Sequence, residues 1–546
     1  AIPASSQLAL CQAIAAHVQL RSVHLADTGL GLHPAAKLCV TSLLSSPRLQ
    51  DLDLGWNCFA SDVFEALGQH VADHKALNKL HLASCAAITA KAESPVTWFL
   101  ECLSRDRTLT SLDVSLNRID FRGALVLEDA LEYHAKLTEL SLGQNPLGVN
   151  GMRSFLRLLS RESSGLRHFE CGQCDGQPAA DELTFNATDP TGGYVLNLSN
   201  PYHRSVLRML YKACDRFRLR PEKAFTDLEY SPESSSKGAP TVYRHPREKD
   251  KHGVWCVPNN GILSVKFNMV EVFSTCFTDD YLSQTLSAQP RNSWMQRKSC
   301  VQGCGQAGVS ALEKTKRPRI GWLHQDAVVR DASLQPLASR FAERYLACVR
   351  YMPSIRKVVP LLAQWQSLKG QPREQQLLLD ALSHDFLLTF GHINQFCCVK
   401  SRTVEVLSKL LPCMEGGPAQ LYMALTLPAK MDDFLKVQHA CQRLFDFNAE
   451  NPTAHYRLDL GNTADYAVGE TLVLINRWEA VMAKKKGCFD MSRYGNWSNF
   501  RNVVYQNQEL SLADFQLPTY DTIELDFVSW RRPPPYVHVM ADERWE

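Results

Sequence analysis

Three groups of residues have the types and spacing that chemistry uses. Cys171-x-x-Cys174 and Cys300-x-x-x-Cys304 together supply four thiols, the count of a structural zinc site. His384-Asp385, His392 and the pair Cys397-Cys398 set nucleophile, base and orienting types within one segment, as thiol catalysis requires. Gly487–Asn496 holds Asp490, Ser492 and Arg493 between two glycines, the kind of polar loop that carries function on a rigid scaffold. Each group also has a plainer reading. Cys171 and Cys174 fall at fixed positions of a repeated phrase, the histidines and the cysteine pair lie among core-like leucines, and the glycine loop serves as a connection. There is no phosphate-binding Gly-rich loop followed by Lys-Ser/Thr, no metalloprotease helix and no nucleophile elbow. The sequence therefore predicts a non-enzymatic protein with no cofactor and no metal. The rival expectation is a hydrolase or transferase whose site lies between two duplicated C-terminal modules, near Asp490–Asn496.

The elements that must position these residues are set by one phrase, Leu-x-x-Leu-x-Leu-x-x-Asn, written six times with conservative replacements. It starts at Leu20, Leu49, Leu77, Leu109, Leu137 and Leu166, separations of 29, 28, 32, 28 and 29 residues. Alternating apolar residues such as Leu52 and Leu54 predict a short strand with one buried face. The closing residue (Thr28, Asn57, Cys85, Asn117, Asn145, Cys174) is suited to bonding loop backbone and bridging neighbouring units. Between strands, Ala35–Leu44, Ser61–Ala72, Val96–Leu103, Gly123–Tyr133 and Gly151–Leu159 show helical spacing of apolar residues. Asp62 and Asp120 stand near helix starts, where capping or first-turn charge is favourable. A fixed period of this size means stacked units, since one unit cannot bury its apolar face alone.

Over residues 8–175 this phrase resembles the ribonuclease-inhibitor type of leucine-rich repeat. The resemblance implies an α/β solenoid with a parallel sheet inside and helices outside. It also implies binding on the concave face, as in inhibitors of nucleases, immune receptors, GTPase activators and cytoskeletal or ciliary components. The outward positions there are His24, Asp53, His81, Asp113, Ser141 and Glu170. The next column (Ala26, Gly55, Ala83, Ser115, Gly143, Gly172) is small and leaves room for approach. The strand ends carry Asp27, Trp56, Ser84, Leu116, Gln144 and Gln173, with Trp56 and Leu116 as apolar anchors. The expected partner-binding set is thus His24, Asp53, Trp56, His81, Asp113, Leu116, Gln144 and Glu170.

Beyond Gly176 the register is lost. Tyr194-x-Leu196-x-Leu198-x-Asn200 leads into a helix and is followed by Pro258, Leu263, Val265 and Phe267. Tyr456-x-Leu458-x-Leu460-x-Asn462 does the same, ahead of Pro518, Ile523, Leu525 and Phe527. Tyr and Pro lie 64 residues apart in the first set and 62 in the second, which predicts a duplicated strand–helix–loop–strand module. The expected division is an array over 1–175, a first α+β module over 176–272, a mainly helical region over 273–451 with a loop at 289–319, and a second module with a tail over 452–546. The α+β modules would flank a helical bundle offering a second docking surface.

Composition narrows the class further. The 546 residues are 45% hydrophobic and 21% charged with net charge +2, ordinary globular values without the electrostatic bias that nucleic acid or anionic membrane would select. Eighteen cysteines are scattered, several inside apolar helical patterns, as expected of buried thiols in a reducing compartment. No apolar run is long enough to span a bilayer. Leu8–Val18 reads as the helix of an earlier unit, so the chain is expected to be part of a longer protein. The function these features predict is a protein-interaction scaffold in the cytoplasm, free or as a structural subunit of a large cytoskeletal or ciliary assembly, with protein partners, no nucleic acid and no membrane insertion.

Overall fold

The computed structural model describes residues 3–269, 345–346 and 349–529, less 33, 89–92, 177–184, 233–242, 247–248, 252, 399–401, 416–423, 426, 429, 449–450, 486–498 and 510–516. The chain forms two compact units, one of residues 1–269, 349–415 and 424–441, the other of 270–348, 416–423 and 442–546.

In the first unit the helix α1 (Ala4–Ala16) precedes five strand–helix coils and a sixth strand. They run β1 (Ser22–His24), α2 (Ala36–Leu44), β2 (Asp51–Asp53), α3 (Ser61–Asp73), β3 (Lys79–His81), α4 (Thr97–Cys102), β4 (Ser111–Asp113), α5 (Phe121–Leu131), β5 (Glu139–Ser141), α6 (Gly148–Ser160) and β6 (His168–Glu170). The strands form a parallel sheet in chain order, in a register that lines up Val23, Leu52, Leu80, Leu112, Leu140 and Phe169. These residues and the second apolar column are buried, so burial on one face fixes the register. Asp120 caps α5, its side chain accepting from the N–H groups of Arg122 and Gly123. The longer unit, from Leu77 to Leu109, has the shortest of the array's helices, α4, and its extra residues precede it.

The closing Asn of each phrase holds adjacent coils together. Asn117 is fully buried. Its Oδ1 accepts from the N–H of Cys85 (2.9 Å) and Ala86 (2.8 Å), and its Nδ2 donates to Leu82 O (2.7 Å) and Ser115 O (2.9 Å). Asn57 and Asn145 bond in the same way to their own coil and the preceding one. Where Cys replaces Asn, the accepting oxygen is lost and the donor remains: Cys85 Sγ donates back to Leu54 O and, at longer range, to Ala83 O, and Cys174 Sγ to Leu142 O and Gly172 O.

After the array come β7 (Gly192–Asn197), α7 (Pro201–Phe217), the short α8 (Pro221–Ala224), β8 (Phe225–Ser231) and β9 (Ile262–Phe267). The three strands form an antiparallel sheet in the order β7-β9-β8. The strand β8 is not announced by the sequence, because a bulge between Thr226 and Glu229, with Asp227 at φ 52°, breaks its alternation. The apolar face of α7 covers its own sheet, with Tyr211 stacked on Phe225 at 4.9 Å. Its other face grips the convex helices of the array. Arg204 and Arg208 pair with Glu101, Arg208 and Lys212 with Asp129, and Lys212 with Glu132.

The helices after residue 349 are α9 (Ile355–Ser367), α10 (Pro372–Asp385), α11 (Phe390–Cys397), α12 (Thr403–Leu410) and α13 (Met431–Ala440). Instead of standing apart as a bundle, α9 and α10 pack on α6 of the last coil. Arg153 and Arg157 project from successive turns of α6, and Arg161 follows at its C-terminal cap. The first two clasp Asp385, the last two bind Glu128, and Arg161 also reaches Glu132 and the Tyr351 hydroxyl. A solenoid end must be sealed, and these helices seal this one.

The second unit holds α14 (Gln442–Asp446), β10 (Ala454–Asp459), α15 (Thr463–Lys485), β11 (Phe500–Tyr505), β12 (Gln508–Glu509) and β13 (Thr522–Phe527). Its antiparallel sheet has the order β10-β13-β11-β12, and α14 packs on α15. Here too a strand unannounced by the sequence, β11, carries a bulge, between Arg501 and Val504.

Candidate functional site

The concave sheet face brings the outward residues of all six strands onto one surface. His24 and Asp53 face each other across neighbouring strands at 3.6 Å, and His81 lies 4.0 Å from Asp113 and 3.9 Å from Asp51. The carboxylates are anchored to backbone. Asp53 Oδ1 accepts from Gly55 N–H and Asp113 Oδ1 from Ser115 N–H, each at 2.9 Å. Glu170 accepts from Gly172 N–H (2.7 Å) and, one coil back, from Gly143 N–H (2.9 Å). This accounts for part of the small column. A Cβ at Gly143 would lie 2.4 Å from Glu170 Oε2, so glycine there makes room for a carboxylate of the protein itself.

Asp27, Trp56, Ser84, Leu116, Gln144 and Gln173 share one property that the sequence reading missed. All have left-handed backbone, with φ between 53° and 61°. The signal was available, since each immediately precedes the closing residue of its phrase. That turn lifts the side chain off the coil: Trp56 is 59% exposed, and Gln144 and Gln173 are exposed as well. A non-glycine residue in this region is strained, so these positions are held by the coil's hydrogen bonds. Gln173 N–H donates to Glu374 of α10, which places the sealing helices beside the last coil's strand end.

The reactive-looking groups are otherwise employed. Cys171 and Cys174 are buried at their places in the last coil, and burial pushes both thiols up, Cys174 to about 12. His384 is buried, and burial with nearby Arg153 pushes it down to about 3, so it is neutral. Burial alone would raise the Asp385 carboxyl, but Arg153 and Arg157 hold it well below the usual range. It is the counter-ion of α6 rather than the orienter of a catalytic histidine. Burial also raises Cys397, to about 12. Cys300, Cys304 and Asp490–Asn496 lie outside the described residues. Among the described residues no group of three His, Cys, Asp or Glu side chains could hold a metal ion, and no helix is long and apolar enough to cross a membrane.

Short parallel strands in a buried leucine register, an Asn/Cys ladder and outer helices define a leucine-rich-repeat array, and a leucine-rich-repeat family model matches residues 105–127. The N-terminal part of the chain is thus a leucine-rich-repeat array. The chain is 28% identical to ribonuclease inhibitor of Mus musculus over 167 residues, 30% of this chain and 36% of that protein. The chain thus spans about a third of the length of the curated relative it matches.

Proposed function

We propose that the protein is a non-enzymatic interaction scaffold that binds a protein partner on the concave face of its array. One observation carries this reading: much of the array's remaining surface, the convex side of its middle coils and the edge of its last coil, is engaged by the chain itself. The convex helices α4 and α5 are gripped by α7, and the end of the sheet is sealed by α9 and α10. The concave strands keep their outward side chains exposed or half-buried. Trp56 and Leu116 supply apolar contact area, and His24, Asp53, His81, Asp113, Gln144 and Glu170 supply polar groups around it.

The two α+β modules belong to this proposal as copies of one ancestral unit. Several matched details favour that origin. The Tyr194 hydroxyl donates to Pro190 O and that of Tyr456 to Pro452 O, four residues back in each case. Asn200 and Asn462 accept from the N–H two residues on. Phe225 meets Phe267 edge-on at 5.0 Å, and Phe500 meets Phe527 so at 5.1 Å. The scaffold is proposed to act in the cytoplasm, within a larger assembly.

Affinity capture by the whole chain, with mass spectrometric identification of the retained protein, tests this. The pair Trp56→Ala and Asp113→Ala should lower retention of that partner at least tenfold, and Leu38→Ser on the convex side should not. Equal retention by the concave variant and wild type removes the concave assignment.

A further inference from the structure

The concave face also carries information about the shape and charge of what it binds, an inference that rests on the concave reading above. Outward from the six strands stand Asp51, Asp53, Asp113, Glu139 and Glu170, against Lys79 as the one fixed cation, with His24, His81 and His168 among them. Arg21 and Arg167 precede the two outermost strands. Charge complementarity calls for a cationic partner surface.

Spacing narrows this further. In the column His24, Asp53, His81, Asp113, Ser141, Glu170 a carboxylate stands on every second strand. Neighbouring strands lie about 4.8 Å apart, so Asp53, Asp113 and Glu170 repeat at about 9.6 Å. Their anchoring by Gly55, Ser115, Gly143 and Gly172 N–H groups keeps these rungs in place before anything binds. Trp56 and Leu116 follow two of the rungs by three residues each and share their period of two strands.

Among regular backbones only one matches that repeat. A polyproline-II helix advances about 3.1 Å per residue with three residues per turn, so every third side chain returns to one side after about 9.3 Å. A β-strand returns a side chain to the same side after about 6.7 Å. An α-helix does so after about 10.5 Å at a seven-residue step, which drifts by about 2 Å over three rungs. We propose that the concave face binds an extended, polyproline-II-like segment of a protein partner carrying Lys or Arg at every third residue. The segment lies across the strands with successive cations on Asp53, Asp113 and Glu170, and apolar residues beside it meet Trp56 and Leu116.

Fluorescence anisotropy with the whole chain and three labelled peptides of one composition tests this. The peptides place Arg at every third residue, at every second residue, or in one contiguous block. The every-third peptide should bind at least tenfold tighter than the other two. Asp53→Asn with Asp113→Asn should weaken it at least tenfold, since each Asn keeps an oxygen for the Gly55 or Ser115 N–H and loses the charge. Equal affinity for all three peptides, absence of binding, or an unaffected double variant overturns the inference. If partner capture needs Trp56 but ignores the Asn variants, the concave reading stands and the cationic segment falls. If capture ignores both, both readings fall.

Discussion

Gln364 completes the main chain of Phe169. From α9, its Nε2 donates to the Phe169 carbonyl at 2.8 Å and its Oε1 accepts from the Phe169 N–H at 3.4 Å. Phe169 is the middle residue of the last strand, and these are the two groups a seventh parallel strand would have taken. An open strand edge is a template for further pairing. Here one side-chain amide occupies it, and Gln364 is itself buried. Gln364→Ala should cost about 1–3 kcal/mol, because two buried main-chain groups are left unpaired. Hydrogen exchange at Phe169 should speed up while that at Leu112 stays near wild type. Unchanged protection at Phe169 would show that the surrounding packing alone seals the edge.

Asp385 holds the sealing helices through Arg153 and Arg157, all three buried. Asp385→Ala leaves the buried Arg153 guanidinium without its counter-ion and takes from Arg157 one of its two carboxylates, and should destabilise the first unit by about 3–5 kcal/mol, measured by denaturant unfolding. A loss below 1 kcal/mol would mean that water or Glu128 takes over the charge.

The same ion pairs set a response to acid. Burial alone would raise Glu101, Asp129, Glu132 and Asp385, but the cations beside each hold it below the ordinary carboxylate value. A carboxylate depressed in the folded state contributes stability that is fully present above its unfolded pKa, about 4. That stability is lost as pH falls through the lower folded value. Between pH 4 and 2, α7 and α10 should therefore lose exchange protection before the leucine core of β2–β5 does. Protection of α7 that is flat across this range would contradict the account.

The Asn117 side chain makes four hydrogen bonds across two coils. Asn117→Ala strands the backbone groups of both coils. It should cost more than Cys85→Ala, which removes a reach to Leu54 O and a longer contact to Ala83 O. Thermal unfolding of the two variants side by side checks this order, and equal shifts would refute it.

The array was legible because its information is local and repeated. Leu52 and Leu54 announce a buried strand face, and Asn57 announces a bridge between coils. The left-handed turn at Trp56 was legible in principle, from its place before the closing residue. The ionic docking of α7 was not. Arg204, Arg208, Lys212 and Arg216 recur every four residues, and such a stripe reads as a solvated helix face. Their partners Glu101, Asp129 and Glu132 lie about 80 to 110 residues away in sequence, and no local pattern ties the two sets together. Charges at this interface are specified by three-dimensional register. By contrast, β8 and β11 escaped notice because each bulge interrupts the alternation that marks a strand.

The clasp of α7 also bears on how this chain can change over generations. Repeat arrays lengthen and shorten by gaining or losing whole units, because each unit contacts only its neighbours. Here Arg204 at the start of the stripe meets Glu101 on α4, and Lys212 two turns on meets Glu132 just past the end of α5. A unit inserted or deleted between Glu101 and Glu132 would put one of these two cations out of step with its partner. The clasp acts as a ruler, and descendants of this protein should conserve the repeat count between these two acids while varying it freely elsewhere.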